Sequence, residues 1–342
     1  MRKFNLKGTV LQKMKELETG TNEHSGIVSA SSDYMSVPSS ASTGSIYPSL
    51  MTAWRSDIGK VRKTNQDAVI HKDPLYGIAD GMGGHNGGET ASQGLRDGLI
   101  RELEGKEPSE QALQNAVQKV NSELFAMQEN DPAINGMGTT LTALWMSRDT
   151  AYLCQVGDSR AYLIRDCEMK QITEDHSMVA DMVRKGILTE EQASCHPMRN
   201  YITRAIATDE YVQVDTYQIP RHKGDRWLIC SDGLYGQMSR LTLSTISAIP
   251  SIEEAADRLQ QEALENGGKD NLSFILLDDL TGPCTTTDDS AADDFPVSGT
   301  ISGHDASSET EIPYSDSSAH SDPDPFPKPN PVNHKQEENR DD

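Results

Sequence analysis

The chain has 342 residues, a formal net charge of -22 at pH 7 and a hydrophobic content of 35%. Its length accommodates one large domain or two ordinary ones, its excess of acids argues against nucleic-acid binding, and no apolar run approaches the roughly 18–20 residues that cross a membrane. The basic N-terminus lacks the apolar stretch of a secretion signal, and the five cysteines form no CxxC pair. We therefore expect reduced thiols and a cytoplasmic location, and we expect a monomer that binds neither nucleic acid nor membrane.

The composition changes at both ends of the chain. Residues 281–342 contain 14 acids, 3 bases and 8 of the 16 prolines, which gives this segment a net charge of -11. Such a segment buries too little apolar surface to offset the entropy lost on ordering, so we predict a disordered acidic tail. Residues 1–50 include a Ser-rich stretch and are predicted to form a mostly disordered extension. Residues 51–280 remain as the folded domain.

Strand and helix patterns alternate through this domain. In chain order, the patterns predict a strand at 75–79, helices at 87–104 and 109–128, strands at 140–146, 151–156 and 160–164, two short helices within 174–208, a strand at 226–230, a helix at 252–266 and a strand at 272–277. Ser251 and Glu254 have the spacing of a capping box at the start of the last helix, and Gly267 follows its end. The segment 174–208 interrupts the strands and is predicted to form a mobile flap.

One stretch, IADGMGGHNGG (78–88), combines a single acid with five glycines. Glycine permits close approaches that a Cβ atom forbids, so a small ligand is expected against the main chain beside Asp80. The stretch lacks the GK[ST] ending of a phosphate-binding P-loop, and Asn86 breaks the spacing of a dinucleotide-binding loop.

Four aspartates lie at strand ends. Asp80, Asp158 and Asp232 each follow an apolar strand, and Asp270 precedes one. Neighbouring antiparallel strands place the end of one beside the start of the next, so these acids could share one edge. Four adjacent carboxylates need a counter-charge, and Mg2+ and Mn2+ prefer oxygen ligands. Any one of these residues alone would be read as a turn former or helix cap, but the repeated pattern favours a metal site.

A cage of metal-bound carboxylates needs a separate cation to hold an anionic substrate group. Arg62 lies just before a further acid, Asp67, and a guanidinium grips phosphate oxygens in a bidentate fork. The alternative for Arg62 is an ordinary surface arginine on a loop.

Eight segments in the same order resemble the metal-dependent serine/threonine protein phosphatases, the PPM or type 2C group, in their bacterial form. They are VRKTNQDA (61–68), IADGMGGHNGGETAS (78–92), GMGTTLTAL (136–144), VGDSRAYLI (156–164), ITEDHS (172–177), HPMRNYITRAI (196–206), LICSDGL (228–234) and GGKDNLSFILL (267–277). The resemblance covers about 54 to 278. It implies an α+β fold in which two antiparallel sheets form a sandwich flanked by helices on both sides, and it makes 51–280 the catalytic domain.

The resemblance also implies metal ligands, with two Mn2+ or Mg2+ ions in each active site and a third, looser ion as in bacterial members. Asp80 would bridge the two ions, and the Gly81 carbonyl would bind one of them. Asp232 and Asp270 would complete the pair, and Asp67 would act through a metal-bound water. Asp158 would hold the third ion together with Asp232.

Arg62 would bind the substrate phosphate, and the reaction would proceed by attack of a metal-bridging hydroxide on phosphorus. Two positions depart from eukaryotic members, which often carry His where Met82 stands and Glu where Gln66 stands. Met82 cannot donate a proton to the leaving group, so a metal-bound water is the preferred donor and His85 a weaker alternative. No cysteine is followed by the arginine of a Cys-x5-Arg phosphatase loop.

The expected activity is hydrolysis of phosphoserine and phosphothreonine in proteins, with a serine/threonine kinase or its targets as partners. One alternative is a pseudophosphatase that binds phosphoproteins and regulates them, although all four strand-end acids are present. Another is an acidic scaffold whose tails carry the function, which removal of 281–342 would test.

Overall fold

The computed structural model describes residues 50–83 and 87–280. The predictions for the two tails, and His85 as a proton donor, fall on residues outside these ranges. Among the helices described, none combines the length and the apolar character needed to span a bilayer.

The strands form two antiparallel sheets. The bounds are β1 Leu50–Asp57, β2 Asp67–Lys72, β3 Leu75–Met82, β4 Gly138–Thr139, β5 Leu141–Met146, β6 Thr150–Val156, β7 Arg160–Arg165, β8 Glu168–Gln171, β9 Asp215–Pro220, β10 Arg226–Cys230 and β11 Leu272–Asp279. One sheet has the order β1-β11-β10-β7-β8; the other has the order β2-β3-β5-β6-β9, with β4 paired to β3.

The helices flank these sheets. Their bounds are α1 Gly87–Leu103, α2 Glu110–Asn130, α3 Met178–Arg184, α4 Glu190–Ser194, α5 Asp232–Tyr235, α6 Arg240–Ser247 and α7 Ile252–Glu265, with a 3-10 helix at Pro132–Ile134. Ser251 caps α7 by accepting a hydrogen bond from the Glu254 backbone N–H, as its spacing predicts. Thr189 and Gln192 form a reciprocal capping box at α4.

Side chains that point to alternate faces of the strands form three hydrophobic cores, one between the two sheets and one between each sheet and its helices. In β10, Trp227 and Ile229 pack between the two sheets, whereas Leu228 and Cys230 pack toward α6 and α7. On the other side, α1 and α2 cover the six-stranded sheet through residues such as Leu99. Side chains of a strand point alternately to opposite faces, so a strand buried on both faces supplies two cores. The predicted four-layer arrangement of helix, sheet, sheet and helix is confirmed.

The segment 174–208 is anchored at its base and exposed at its outer part. Ser177 pairs with Ile202, and Ile206 pairs with Thr139, the last residue of β4. The outer part carries α3 and α4 and exposes the side chains of Ile187 and Tyr201. Two short helices lie here as predicted; movement of the segment as a flap stays a prediction, as do the domain boundaries.

Candidate active site

The first pair of site acids lies at the end of the six-stranded sheet. Asp67 opens β2, and Asp80 lies near the end of β3 directly opposite it in the antiparallel register. Thr140 fixes the Asp80 backbone, since its hydroxyl accepts the Asp80 N–H at 3.0 Å and its N–H donates to the Asp80 carbonyl at 2.9 Å. The antiparallel register of β2 and β3 therefore brings two carboxylates together.

The five-stranded sheet contributes the facing acids. Asp232 begins α5 one residue after β10 ends, and its side chain lies close enough for its charge to act on Asp80. Asp270 lies just before β11, where its Oδ1 accepts the N–H of Asn271 at 2.8 Å. Asp158 lies between β6 and β7, only 8% exposed, with its carbonyl bonded by the Tyr235 hydroxyl. All four predicted strand-end acids lie at one rim.

Two glycines allow the loops at this rim to approach each other. A Cβ atom on Gly81 would lie 2.2 Å from the Gly88 carbonyl oxygen and 2.4 Å from that of Gln66. A Cβ atom on Gly233 would lie 1.9 Å from the Asn271 carbonyl oxygen. Backbone therefore packs against backbone beside Asp80 and Asp232, which only glycine permits.

Burial and mutual repulsion raise the pKa values of the site acids. Burial, followed by the charges of Asp67, Asp232, Asp158 and Asp270, raises the pKa of Asp80 well above its usual value. Burial and Asp232 raise the pKa of Asp158 to about 8. Burial raises the pKa of Asp67 to about 7 and that of Asp232 to about 6, with neighbouring acids adding to both. Several buried like charges of this kind require a cation to stay ionised together.

The donor set fits hard divalent cations. Asp67 Oδ2 accepts a hydrogen bond from Ser231 at 3.0 Å, but its buried Oδ1 has no hydrogen-bond partner. Across 50–83 and 87–280, no three His, Cys, Asp or Glu side chains yet form a group with metal-binding geometry. Instead Asp270 accepts a hydrogen bond from Arg62, and the charges of Asp80 and Asp232 act on each other. These oxygens suit Mg2+ or Mn2+ chemically once the carboxylates turn to a shared ion.

Arg62 reaches the acid cluster from an exposed loop. Its Nη2 donates to Asp270 Oδ2 at 2.7 Å, while half of the side chain stays exposed to solvent. The hydrogen bond to Asp270, aided by the charges of Asp270, Asp80 and Asp232, raises the pKa of Arg62 above its already high value. The guanidinium therefore lies at the mouth of the site with donors left for an incoming anion.

Sequence reasoning missed the residue that holds this loop. The Asn271 side chain donates to the carbonyls of Ile58 at 3.0 Å and Thr64 at 2.9 Å, and it accepts the Gln66 N–H at 2.9 Å. One amide thus fixes both ends of the turn that carries Arg62. The position directly after Asp270 in KDN was the available signal, but an Asn beside a turn has a common local explanation.

A second missed cluster connects the flap base to the Asp158 loop. His176 Nδ1 accepts the Gly157 N–H at 3.1 Å, so its other nitrogen carries the proton and donates to Asp215 Oδ2 at 2.9 Å. Arg204 donates to the same carboxylate at 2.7 Å. These hydrogen bonds lower the pKa of Asp215 against the opposing effect of burial. A buried, fully paired histidine of this kind is a structural hydrogen-bonder.

The sequence model of the family described as protein phosphatase 2C matches residues 60–276. The chain is 42% identical over 232 residues to the serine/threonine protein phosphatase PstP of Mycobacterium tuberculosis, an alignment that covers 67% of this chain and 45% of that relative. It is 36% identical to the serine/threonine phosphatase stp of Listeria monocytogenes, over 67% of this chain and 96% of that protein.

Solved structures agree with this result. The catalytic domain of PstP in complex with two manganese ions superposes with a TM-score of 0.62 at 38% identity, covering 68% of this chain and 98% of that one. The present chain spans less than half the length of the full PstP sequence. The matched residues 60–276 contain every site acid described above, and the chain belongs to the protein phosphatase 2C family.

Proposed function

We propose that this protein is a metal-dependent phosphatase that hydrolyses phosphoserine and phosphothreonine in other proteins. The observation that carries the proposal is the convergence of Asp67, Asp80, Asp158, Asp232 and Asp270 at one rim, where burial and mutual repulsion raise the pKa of several of them. Arg62 stands at the same rim with exposed donors. A polyanionic pocket beside one arginine suits a phosphate group whose charge is offset by bound cations.

Asp80, Asp232, Asp270 and the Gly81 carbonyl would hold two divalent cations, with Asp67 acting through water. Asp158 would hold a third ion together with Asp232. When bound, such ions lower the pKa of water and offset charge on phosphoryl oxygens. The manganese complex of PstP supports Mn2+ here, and Mg2+ has the same preference for oxygen ligands.

Arg62 would orient the substrate. In the structure its guanidinium pairs with Asp270. Once the Asp270 carboxylate serves as a metal ligand, the same donors are free to grip two phosphate oxygens as a fork. Asn271 keeps the loop in place during this exchange, so the phosphorus atom would be held against the acid rim.

The natural substrates would be phosphoproteins that serine/threonine kinases modify, and such a kinase or its targets would be the partners. The relatives named as serine/threonine phosphatases support this substrate class. Reduced cysteines, two of them exposed and free, are consistent with the expected cytoplasmic location.

The proposal is tested by hydrolysis of a phosphothreonine peptide. The full chain should release phosphate from this peptide in the presence of Mn2+, and the release should stop when EDTA is added. Asp80→Asn or Asp232→Asn should lower turnover by at least about 100-fold, since loss of an outer partner of a metal ligand already costs about 10–100-fold. Lys106→Gln, on an exposed loop, is the matched control. Metal-independent hydrolysis, or near-normal turnover in either Asn variant, would refute the assignment.

A further inference from the structure

Three exposed lysines lie on the two segments that carry Arg62 and Asp270. Lys60 and Lys63 flank Arg62 on its loop, and Lys269 directly precedes Asp270. The Lys60 N–H donates to the Gly268 carbonyl at 2.7 Å, which joins the Arg62 loop to the turn that carries Lys269. We call Lys60, Lys63 and Lys269 the lysine rim.

The lysine rim presents free positive charge. Within the described residues, none of its three ammonium groups forms an ion pair or a hydrogen bond. Nearby acids have other partners. Asp57 accepts from the Gly59 N–H and from Gln260, and Glu262 and Glu265 accept from Asn266 and Gln261. The rim charges are therefore available to a ligand at the site mouth.

The positive charge of the lysine rim is opposite in sign to the net charge of the chain. The full sequence carries a net charge of -22, which repels acidic ligands at long range. Arg62 and the lysine rim put four cations on the two adjoining segments that carry Arg62 and Asp270. Unpaired charges of one sign around a cleft attract ligands of the opposite sign and disfavour those of the same sign.

We propose that the lysine rim makes this enzyme select phosphorylated residues flanked by aspartate or glutamate. This inference rests on the proposed phosphatase function and adds the substrate class to it. Arg62 would take the phosphate, and Lys60, Lys63 and Lys269 would contact acidic side chains a few residues away on the same peptide. Substrates with basic flanks would be disfavoured by repulsion.

The competing explanation is that these lysines stabilise the C-terminal end of α7. That helix ends at Glu265, and the Lys269 stem lies against Gly267. Cations near a helix C-terminus are favourable. In that case the lysines would affect the stability of the fold without affecting the choice of peptide.

The test uses the full chain with Mn2+ and three phosphothreonine peptides of equal length, whose flanks carry Asp, Ala or Lys. The wild type should show a kcat/KM at least about fivefold higher for the Asp peptide than for the Lys peptide at low salt, because each exposed charge pair contributes modestly. The ratio should approach one at 1 M NaCl, where the Debye length falls to about 3 Å. Equal kcat/KM for the Asp and Lys peptides at low salt would overturn the proposal without any variant.

Two charge-matched variants locate the effect. K60E/K63E/K269E should bring the ratio of kcat/KM values to one or below, mainly through KM. K72E/K106E/K223E changes the net charge equally at exposed positions away from the site, where Lys72 lies about 17 Å along β2 from Asp67, and should leave the ratio unchanged. An equal shift in both variants, or a lowered unfolding midpoint with an unchanged ratio in the first, would overturn the rim as a selectivity element.

Two further outcomes are distinguishable. If K60E/K63E/K269E does not fold, K60Q/K63Q/K269Q carries the same expectation with a smaller shift. If the wild type hydrolyses none of the peptides with Mn2+, the proposed function fails and the rim proposal fails with it. Hydrolysis of all three peptides with the same kcat/KM would contradict the selectivity proposed for the lysine rim and would leave the proposed phosphatase function supported.

Discussion

At the scale of single residues, the site is a set of acids whose burial and mutual repulsion oppose ionisation. Asp67 and Asp158 are each only 8% exposed, and the pKa of each is raised by burial first and neighbouring carboxylates second. Asp67 Oδ1 has no hydrogen bond. Unpaired buried polar atoms and like charges lower stability, and residues with perturbed pKa values in a cleft are typical of functional sites.

Asn271 offers a test of how Arg62 is positioned. Asn271→Ala removes three hydrogen bonds to the loop that carries Arg62, so kcat/KM for a phosphopeptide should fall about 10–100-fold, as for other residues that orient a ligand. Arg62→Ala should chiefly raise KM. If Asn271 acts through Arg62, adding Asn271→Ala to Arg62→Ala should cost much less than it costs alone.

The matched control for this cycle is Asn266→Ala, which removes a side-chain hydrogen bond to Glu262 at the end of α7. It should leave kcat/KM unchanged. Fully additive losses in the double variant would mean that Asn271 acts on the site by a route other than Arg62.

At the scale of elements, β9 holds the base of the predicted flap. Asp215, the first residue of β9, receives hydrogen bonds from His176 at one end of the flap and from Arg204 at the other. The same histidine accepts the N–H of Gly157, next to Asp158. The Asp215 carboxylate therefore connects β9 to both ends of the flap, and through His176 it also connects to the loop that carries Asp158.

The pH dependence of this contact has a defined sign. The pKa of Asp215 is lowered in the fold, so its contribution to the free energy of unfolding is present above the unfolded pKa, near 3.9, and is lost as pH falls through the folded value. Asp215→Asn should lower the free energy of unfolding by about 1–3 kcal/mol at pH 7 and by less at pH 3. Urea denaturation at both pH values measures this, with Asp209→Asn as control; an equal deficit at pH 3 and pH 7 would contradict it.

At the scale of the whole molecule, the site joins the two sheets. Asp67 and Asp80 come from the six-stranded sheet, whereas Asp232 and Asp270 adjoin β10 and β11 of the five-stranded sheet. A cation held by both pairs would connect the halves of the sandwich, and it would relieve the repulsion that the acids exert on each other.

Mn2+ should therefore stabilise the native protein. A ligand that binds only the folded state at 100 times its Kd adds about 2.7 kcal/mol to the free energy of unfolding. The thermal midpoint of the full chain should rise with Mn2+ and return to its starting value with EDTA. Asp80→Asn should lose most of this rise, whereas Lys106→Gln should keep it; an unchanged midpoint in wild type would argue against a cation between the sheets.

The sequence alone determined the central strands and the long helices, and it singled out the acids of the candidate site. Strands such as β5, β10 and β11 are buried on both faces and are mostly apolar in sequence, and α1, α2 and α7 repeat apolar residues at helical spacing. The short or partly polar elements β1, β2, β4, β8, β9, α5 and α6 were not predicted, because edge strands such as Glu168–Gln171 carry polar side chains and α5 has only four residues. The hydrophobic pattern of a segment shows which of its residues are buried, whereas these short or polar elements form because of the strands and helices they pack against.

Only the tertiary structure decided which polar groups meet. Asn271 and Gln66 are ordinary in the sequence, yet the packing of the two sheets brings their hydrogen bonds around Arg62. The same packing places Asp67 opposite Asp80 and gives His176 its partner 39 positions away in Asp215. Side-chain chemistry can be read from residue type and strand ends, but mutual distance, burial and charge coupling arise only when segments far apart in the chain pack together.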